Sequence, residues 1–365
     1  MQPTGVVELV QDLIRRAIAA RASDVHIEPG SDAWRVRFRV DALLNEVDKL
    51  PAAIGPNVVA RLKVLSGLLT YRSDVPQEGS IDRGKSGFPC DIRVATFPTI
   101  RGERVVLRMM SESAALLTLD DLGHDPALIE RLKCALSRPQ GLMLICGPAG
   151  SGKTTTLYAM LDHIQKTRCG VSILSVEDPV EIRLEGVTQV QVEPARGLTY
   201  PIALRSLLRQ DPQVLMIGEV RDAETAHIVV EAALTGHLLL TTMHSGTPAE
   251  AIVRLREMGI APYQITSTLA GVLAQRLLRT VCPQCKNQAE HANCPRCLGT
   301  RYAGRTAIGH WLELTPALRQ AILDGADVER LASQQLAPGS LRQDAERLLR
   351  ASLTTPEEAR RVLGE

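Results

Sequence analysis

The chain reads as an α/β protein: a large domain with a mostly parallel sheet covered by helices, preceded by a smaller α+β domain. Three observations predict this. From about residue 121 to 280, apolar strand candidates at 142–146, 171–176, 213–217 and 237–243 alternate with helix patterns at 153–166, 201–209, 222–235 and 248–257, the signature of a covered parallel sheet. Within that series, Gly147-Pro148-Ala149-Gly150-Ser151-Gly152-Lys153-Thr154 joins an apolar run to a helix-like stretch. Before it, residues 1–110 show the two-residue alternation of sheet strands.

Element by element, the chain opens on an amphipathic helix whose Val7, Val10, Leu13, Ile14, Ala17 and Ile18 share a face. Alternation follows in Val25-His26-Ile27-Glu28 and in Trp34 to Val40, which sets Arg35, Arg37 and Arg39 along one strand face. A second helix at roughly 54–69, a polar loop at 73–87 and strands at 90–96 and 103–110 complete an N-terminal α+β domain over 1–110. Residues 111–120 read as a linker. The remainder, 121–365, forms the α/β domain, with a cysteine-rich insert at 282–297 and a largely helical tail beyond 315.

Composition excludes several classes. A formal charge of +1 gives no overall pull toward nucleic acid or anionic lipid, and 3% aromatic residues leave few platforms on which bases stack. No apolar run approaches the ~20 residues that cross a bilayer, and the N-terminus shows no export signal. Eight cysteines in 365 residues, beside a nucleotide site, point to a reducing cytosol rather than a disulfide framework.

The loop at 147–154 is a complete G-x-x-x-x-G-K-[ST] motif in its strand–loop–helix context. Its glycines let backbone N–H groups face a phosphate, Lys153 reaches the β- and γ-phosphates, and the Thr154 hydroxyl suits Mg²⁺, so the chain binds a nucleoside triphosphate. Thr155 extends the binding set of Gly147, Pro148, Ala149, Gly150, Ser151, Gly152, Lys153 and Thr154. Two strand-like runs end in carboxylates, at Glu177-Asp178 and at Glu219. Strand C-termini line the ligand crevice of a parallel sheet, so both belong near the loop. Asp211, Asp222 and Glu224 fit helix caps or first-turn charges equally well. His237 and His244 flank the strand at Leu238–Met243 and fall near its two ends.

Cys282-x₂-Cys285-x₈-Cys294-x₂-Cys297 forms two paired-cysteine turns, and four thiolates at such spacing suit tetrahedral Zn²⁺ in a structural role. His291, inside the loop, is an unneeded extra ligand.

Taken together, these motifs resemble the secretion-ATPase superfamily, in particular the assembly ATPases of type II secretion and type IV pilus systems. The resemblance rests on the phosphate loop, Val176-Glu177-Asp178-Pro179-Val180-Glu181, Ile217-Gly218-Glu219-Val220-Arg221-Asp222, Thr235-Gly236-His237 through His244, Ala22-Ser23-Asp24-Val25-His26-Ile27-Glu28-Pro29, and Ala274-Gln275-Arg276-Leu277-Leu278-Arg279. It implies a RecA-like P-loop core, a PAS-like N-terminal domain and a zinc insert. It further implies a homohexamer that hydrolyses ATP with Mg²⁺ and moves an inner-membrane platform protein from the cytoplasmic side, with a cytoplasmic-side recruiter and no direct nucleic-acid contact. On the matched positions Glu177 is the general base, Glu219 acts at Mg²⁺, His237 senses the γ-phosphate, and Arg93 and Arg108 close onto the phosphates.

Departures from the family pattern fall at Ser80, Gln213 and His310, and the chain starts where the second N-terminal domain of many members begins, without their docking domain. Alternative readings are a pilus-retraction motor, against which the cysteine quartet argues, a nucleic-acid translocase, and a non-catalytic scaffold.

Overall fold

The computed structural model describes residues 5–110, 116–286, 294, 296–297, 299–334 and 340–364. Contacts divide the chain into two units, Met1–Ala114 with Cys282–Gly304, and Ala115–Val281 with Arg305–Glu365.

The first unit runs α1 (Val6–Ala19), β1 (Asp24–Pro29), β2 (Ala33–Val40), β3 (Leu43–Pro51), α2 (Gly55–Leu65), β4 (Gln77–Ile81), a single turn α3 (Arg83–Ser86), β5 (Asp91–Thr99) and β6 (Gly102–Met110). Its strands form one sheet in the order β3-β2-β1-β6-β5-β4, antiparallel throughout. Alternation decides which side is covered. Val25, Ile27, Val36, Phe38, Ile92, Val94, Val105 and Leu107 meet Val10, Leu13 and Ile14 of α1 and Val58, Val59 and Leu62 of α2 in one core. Burying each such Leu or Ile is worth about 1.5–3 kcal/mol.

The opposite side of the sheet is polar. Across neighbouring strands, Ser80, Arg93, Arg108, Asp24 and Arg39 stand in register as one row. Asp24 separates two of those arginines, with Arg108 Nε at 2.9 Å and Arg39 Nε at 3.4 Å. The strand β4 lies inside the stretch read as a polar loop. Its only buried residue is Ile81, so an edge strand of this kind carries almost no apolar periodicity.

The second unit includes the Leu119–Leu122 turn, so the 111–120 segment that reads as a linker ends inside this unit; residues 111–115 lie outside the described residues. It continues with α4 (Pro126–Leu136), β7 (Gly141–Cys146), α5 (Lys153–Thr167), β8 (Ile173–Glu177), β9 (Thr188–Gln191), α6 (Tyr200–Leu207), β10 (Val214–Ile217), α7 (Ala223–Leu234), β11 (Leu238–Met243), α8 (Pro248–Glu257), α9 (Pro262–Thr268), β12 (Leu269–Val281) and β13 (Tyr302–Glu313). Helices α10 (Pro316–Leu323), α11 (Val328–Ser333), α12 (Leu341–Arg350) and α13 (Pro356–Leu363) form the tail.

The sheet order is β13-β12-β7-β11-β10-β8-β9, and the run from β12 to β9 is parallel. Every residue of β7, β8, β10 and β11 is buried, as a sheet covered on both faces requires. Leu142, Leu144, Leu215 and Leu239 face a core shared with α6 to α9, whereas Met143, Ile145, Met216 and Leu240 face one shared with α4 and α5. The parallel pairing puts the C-terminal ends of β7, β8, β10 and β11 at one edge.

The tail is anchored by a buried ion pair. Glu358 of α13 accepts from the Arg279 backbone N–H at 3.0 Å and from its guanidinium at 3.0 and 2.6 Å. Burial alone would raise the Glu358 carboxyl, but the hydrogen bonds of Arg361 and Arg279 outweigh it and hold the group down at about 2.

One expectation about domain limits changes. The cysteine segment was assigned to the α/β domain, yet Cys282–Gly304 groups with the first unit. Within that unit the Gly304 N–H donates to the Asp41 carboxylate at 2.9 Å, tying the segment to the turn between β2 and β3.

Candidate nucleotide site

The phosphate loop follows β7, and its turn depends on glycine. Gly150 and Gly152 take φ of 74° and 85°, the left-handed region that other residues avoid. At Gly152 a Cβ would also stand 3.0 Å from the Gln275 side-chain nitrogen. Behind the loop, buried Gln275 acts as a brace. Its amide nitrogen donates to the Ser151 carbonyl at 2.7 Å, and its oxygen accepts from the Thr156 hydroxyl at 2.8 Å.

Lys153, the first residue of α5, folds onto the loop and donates to the carbonyls of Gly147 and Pro148 at 2.9 and 3.0 Å. Burial lowers the pKa of its amine, partly offset by the Glu219 charge. Those carbonyls occupy the ammonium where a phosphate would.

A cavity of about 380 Å³ opens over the loop. Ala149, Gly150, Ser151, Gly152, Lys153, Thr154 and Thr155 line its floor, while Glu177, Asp178, Glu181, Tyr200, Glu219, Thr242, His244, Leu277 and Arg305 line its sides. Gly147 and Pro148 contribute the two carbonyls just described and do not line it. The two strand-end carboxylates thus converge on the loop.

Their surroundings differ. Glu177 is 2% exposed. One of its oxygens accepts from the Tyr158 hydroxyl, and the other from the Ser175 hydroxyl at 2.5 Å and the Gln189 amide at 3.0 Å. Glu219 sits two residues beyond the Ile217 end of β10, paired with the Arg221 guanidinium and, at 3.1 Å, with His244 Nε2. Burial pushes the Glu219 carboxyl up, but Arg221 and His244 together hold it below its ordinary value. Arg221 also lies 3.5 Å from Asp178.

The two histidines fall at opposite ends of β11. His237 precedes β11, where its ring contacts the Ala232 carbonyl at 2.9 Å. Six residues of strand, about 20 Å, separate it from the edge where the loop lies. The residue this chain brings to its own cavity is His244, at the C-terminal end of β11. Strand polarity carried that signal in the sequence, since the loop also follows a strand C-terminus.

Asp222 caps α7, accepting from the Thr225 N–H at 2.8 Å, and Glu224 pairs with Arg205 at 2.8 Å. Neither lines the cavity. Arg93 and Arg108 are exposed neighbours in the polar row of the first unit's sheet. Sequence reasoning missed Tyr158, Ser175, Gln189, Arg221 and Gln275, which hold the site's groups in place.

The sulfurs of Cys282, Cys285, Cys294 and Cys297 are buried and all lie within 4.8 Å of one another. The Cys282–Cys294 and Cys285–Cys297 separations of 3.9 and 3.7 Å are far beyond a disulfide bond. They match the edge of about 3.8 Å of a sulfur tetrahedron around a metal at ~2.3 Å. The donor set fits a soft divalent cation. His291 lies outside the described residues.

With this geometry in place, comparison with known proteins identifies the family. The family described as "Type II/IV secretion system protein" matches residues 2–361. The chain belongs to this family.

The chain is 41% identical, over 98% of its length and 77% of the relative's, to the type II secretion system protein HxcR of Pseudomonas aeruginosa. It is 39% identical to the type II secretion system ATPase E of Vibrio cholerae, covering 99% of this chain and 76% of that protein. The type IV pilus assembly ATPase PilB of Thermus thermophilus is 38% identical over 98% of this chain and 43% of its own length. In fold, the Legionella pneumophila ATPase DotB matches with a TM-score of 0.73 at 21% identity, covering 99% of this chain and 96% of that one. The family's members are ATP-driven motors, and this chain is an ATP-hydrolysing enzyme of that class. Among the described residues no helix is long and apolar enough to cross a membrane.

Proposed function

We propose that this chain hydrolyses ATP as one subunit of a homohexamer that drives assembly of a type II secretion pseudopilus or a type IV pilus, including a DNA-uptake pilus. The observation that carries the reading is the convergence of Glu177, Glu219 and the phosphate loop on one cavity. Lys153 exchanges its two loop carbonyls for the β- and γ-phosphates. Glu177 accepts a proton from the attacking water, and His244 lines the same cavity beside Glu219. Thr154 and Glu219 would hold Mg²⁺, which neutralises phosphate charge when bound. Arg93 and Arg108 supply further donors to the phosphates, a role supported by their exposed, adjacent positions on one sheet face. In the first unit, the antiparallel strand order with helices on one face supports a PAS-like domain.

Cys282, Cys285, Cys294 and Cys297 would hold Zn²⁺ with four thiolates, a ligand set that suits a structural role. That quartet and the named assembly relatives favour an assembly motor over a retraction motor. The motor works in the cytoplasm against the inner face of the membrane, through a platform protein. Steady-state phosphate release with Mg²⁺, alongside sizing with an ATP analogue, tests the reading. Hydrolysis by a hexamer that Lys153→Ala abolishes is the expected result. A monomer whose specific activity does not change with concentration would contradict it.

A further inference from the structure

We propose that Tyr158 is a positioning residue for hydrolysis: its hydroxyl fixes the Glu177 carboxylate so that one lone pair is left to take the proton of the attacking water. The inference rests on the reading of Glu177 as the base. Tyr158 lies five residues beyond Lys153 on α5 and is 1% exposed. Its hydroxyl donates to Glu177 Oε2, while its oxygen accepts from the backbone N–H groups of Glu181 and Ile182 at 3.2 and 3.4 Å. One phenol therefore ties the carboxylate both to the helix that carries Lys153 and to the loop between β8 and β9.

A carboxylate offers about four lone-pair sites. Tyr158, Ser175 and Gln189 fill three of them at Glu177, two on Oε1 and one on Oε2. All three partners are neutral, so none of them competes for the proton as a cation would. Burial and the Glu177 charge raise the phenol's pKa, which keeps it a donor throughout the working range. Donors to the charged form stabilise it, so losing one must make the carboxylate easier to protonate.

The experiment compares full-length wild type, Tyr158→Phe, Ser175→Ala and Glu177→Gln in ATP hydrolysis across pH, with nucleotide affinity measured in parallel. Phe fills the same volume. We expect Tyr158→Phe to lower kcat about 10- to 100-fold, as loss of a hydrogen bond to a charged group does, with KM within about twofold. The acid limb of kcat/KM should move to higher pH, and Ser175→Ala should move it the same way by less. A purely structural role for Tyr158 would lower thermal stability and leave the limb in place. An unmoved limb and wild-type kcat in Tyr158→Phe, with Glu177→Gln inactive, would overturn the proposal while leaving the base assignment intact. Full turnover by Glu177→Gln would instead remove the reading on which it rests. Should Tyr158→Phe fail to fold, Ser175→Ala decides, and an unmoved limb there counts against the proposal.

Discussion

The ends of β8 and β10 each deliver a carboxylate to the same cavity, and they hold it in opposite ways. Glu177 is almost fully buried among three neutral donors, whereas Glu219 is paired with a cationic Arg221 and with His244 at the cavity side. Neutral donors orient a group without competing for the charge it must accept. The Arg221 guanidinium occupies one Glu219 oxygen and His244 lies against the other, so a metal bound there would displace them. Glu177 is thus held in place by its neutral donors, whereas on the proposed reading Glu219 would exchange partners on loading.

The largest expected effect separates chemistry from binding at the first of these carboxylates. Glu177→Gln should lower phosphate release by roughly 10²–10⁴, the range for a positioned acid–base group, with ATP affinity changed only a few-fold. Lys153→Ala should weaken both, because the lost ammonium serves ground state and transition state alike. Equilibrium nucleotide binding beside steady-state turnover distinguishes the two patterns.

A third carboxylate sharpens the contrast. Glu358 is 0% exposed and held by two arginines, yet it is remote from the loop in sequence and serves the tail. Its carboxyl is depressed from 4.5 to about 2 in the folded protein. The stability it contributes, on the order of 3 kcal/mol, is therefore fully present above about pH 4.5 and is lost as pH falls toward 2. Glu358→Gln should destabilise the protein at neutral pH and flatten the acid limb of its denaturation curve. Chemical denaturation followed across pH checks both.

The cysteine quartet gives a discrete outcome. Purified protein should carry about one Zn²⁺ per chain, since four thiolates complete one tetrahedral site, and Cys285→Ser should lose it. Metal analysis with thiol titration reads this directly, and nucleotide binding should persist.

The smallest effect belongs to Arg221. Removing it with Arg221→Ala frees one Glu219 oxygen and takes away a group that lowers its carboxyl. We expect a change of about two- to fivefold in the Mg²⁺ concentration that half-saturates hydrolysis, with little change in nucleotide affinity, as suits a partly exposed ion pair.

Much of the α/β unit was legible in the sequence. Continuous apolar runs marked β7, β8, β10 and β11 within a few residues, and the glycine–lysine loop marked the edge at which they converge. Two kinds of feature were hidden. The strand β4 has one buried residue, and β12 and β13 lie next to the cysteines, whose motif drew the reading away from the strand pattern. The groups that hold the site were hidden for a different reason. Tyr158 sits among Leu157, Met160 and Leu161 on a helix and reads as core, because periodicity reports burial and not the direction of a hydroxyl. The resemblance singles out His237, whereas strand polarity puts His244 at the edge where the loop lies.

The most direct test of the division of labour is a Mg²⁺ titration of ATP hydrolysis by wild type, Glu177→Gln and Glu219→Gln at saturating ATP. Glu177→Gln should keep the wild-type half-saturation at a plateau lowered by roughly 10²–10⁴, whereas Glu219→Gln should shift the half-saturation to higher Mg²⁺. A shifted half-saturation in Glu177→Gln, together with an unshifted curve and a collapsed plateau in Glu219→Gln, would contradict that division.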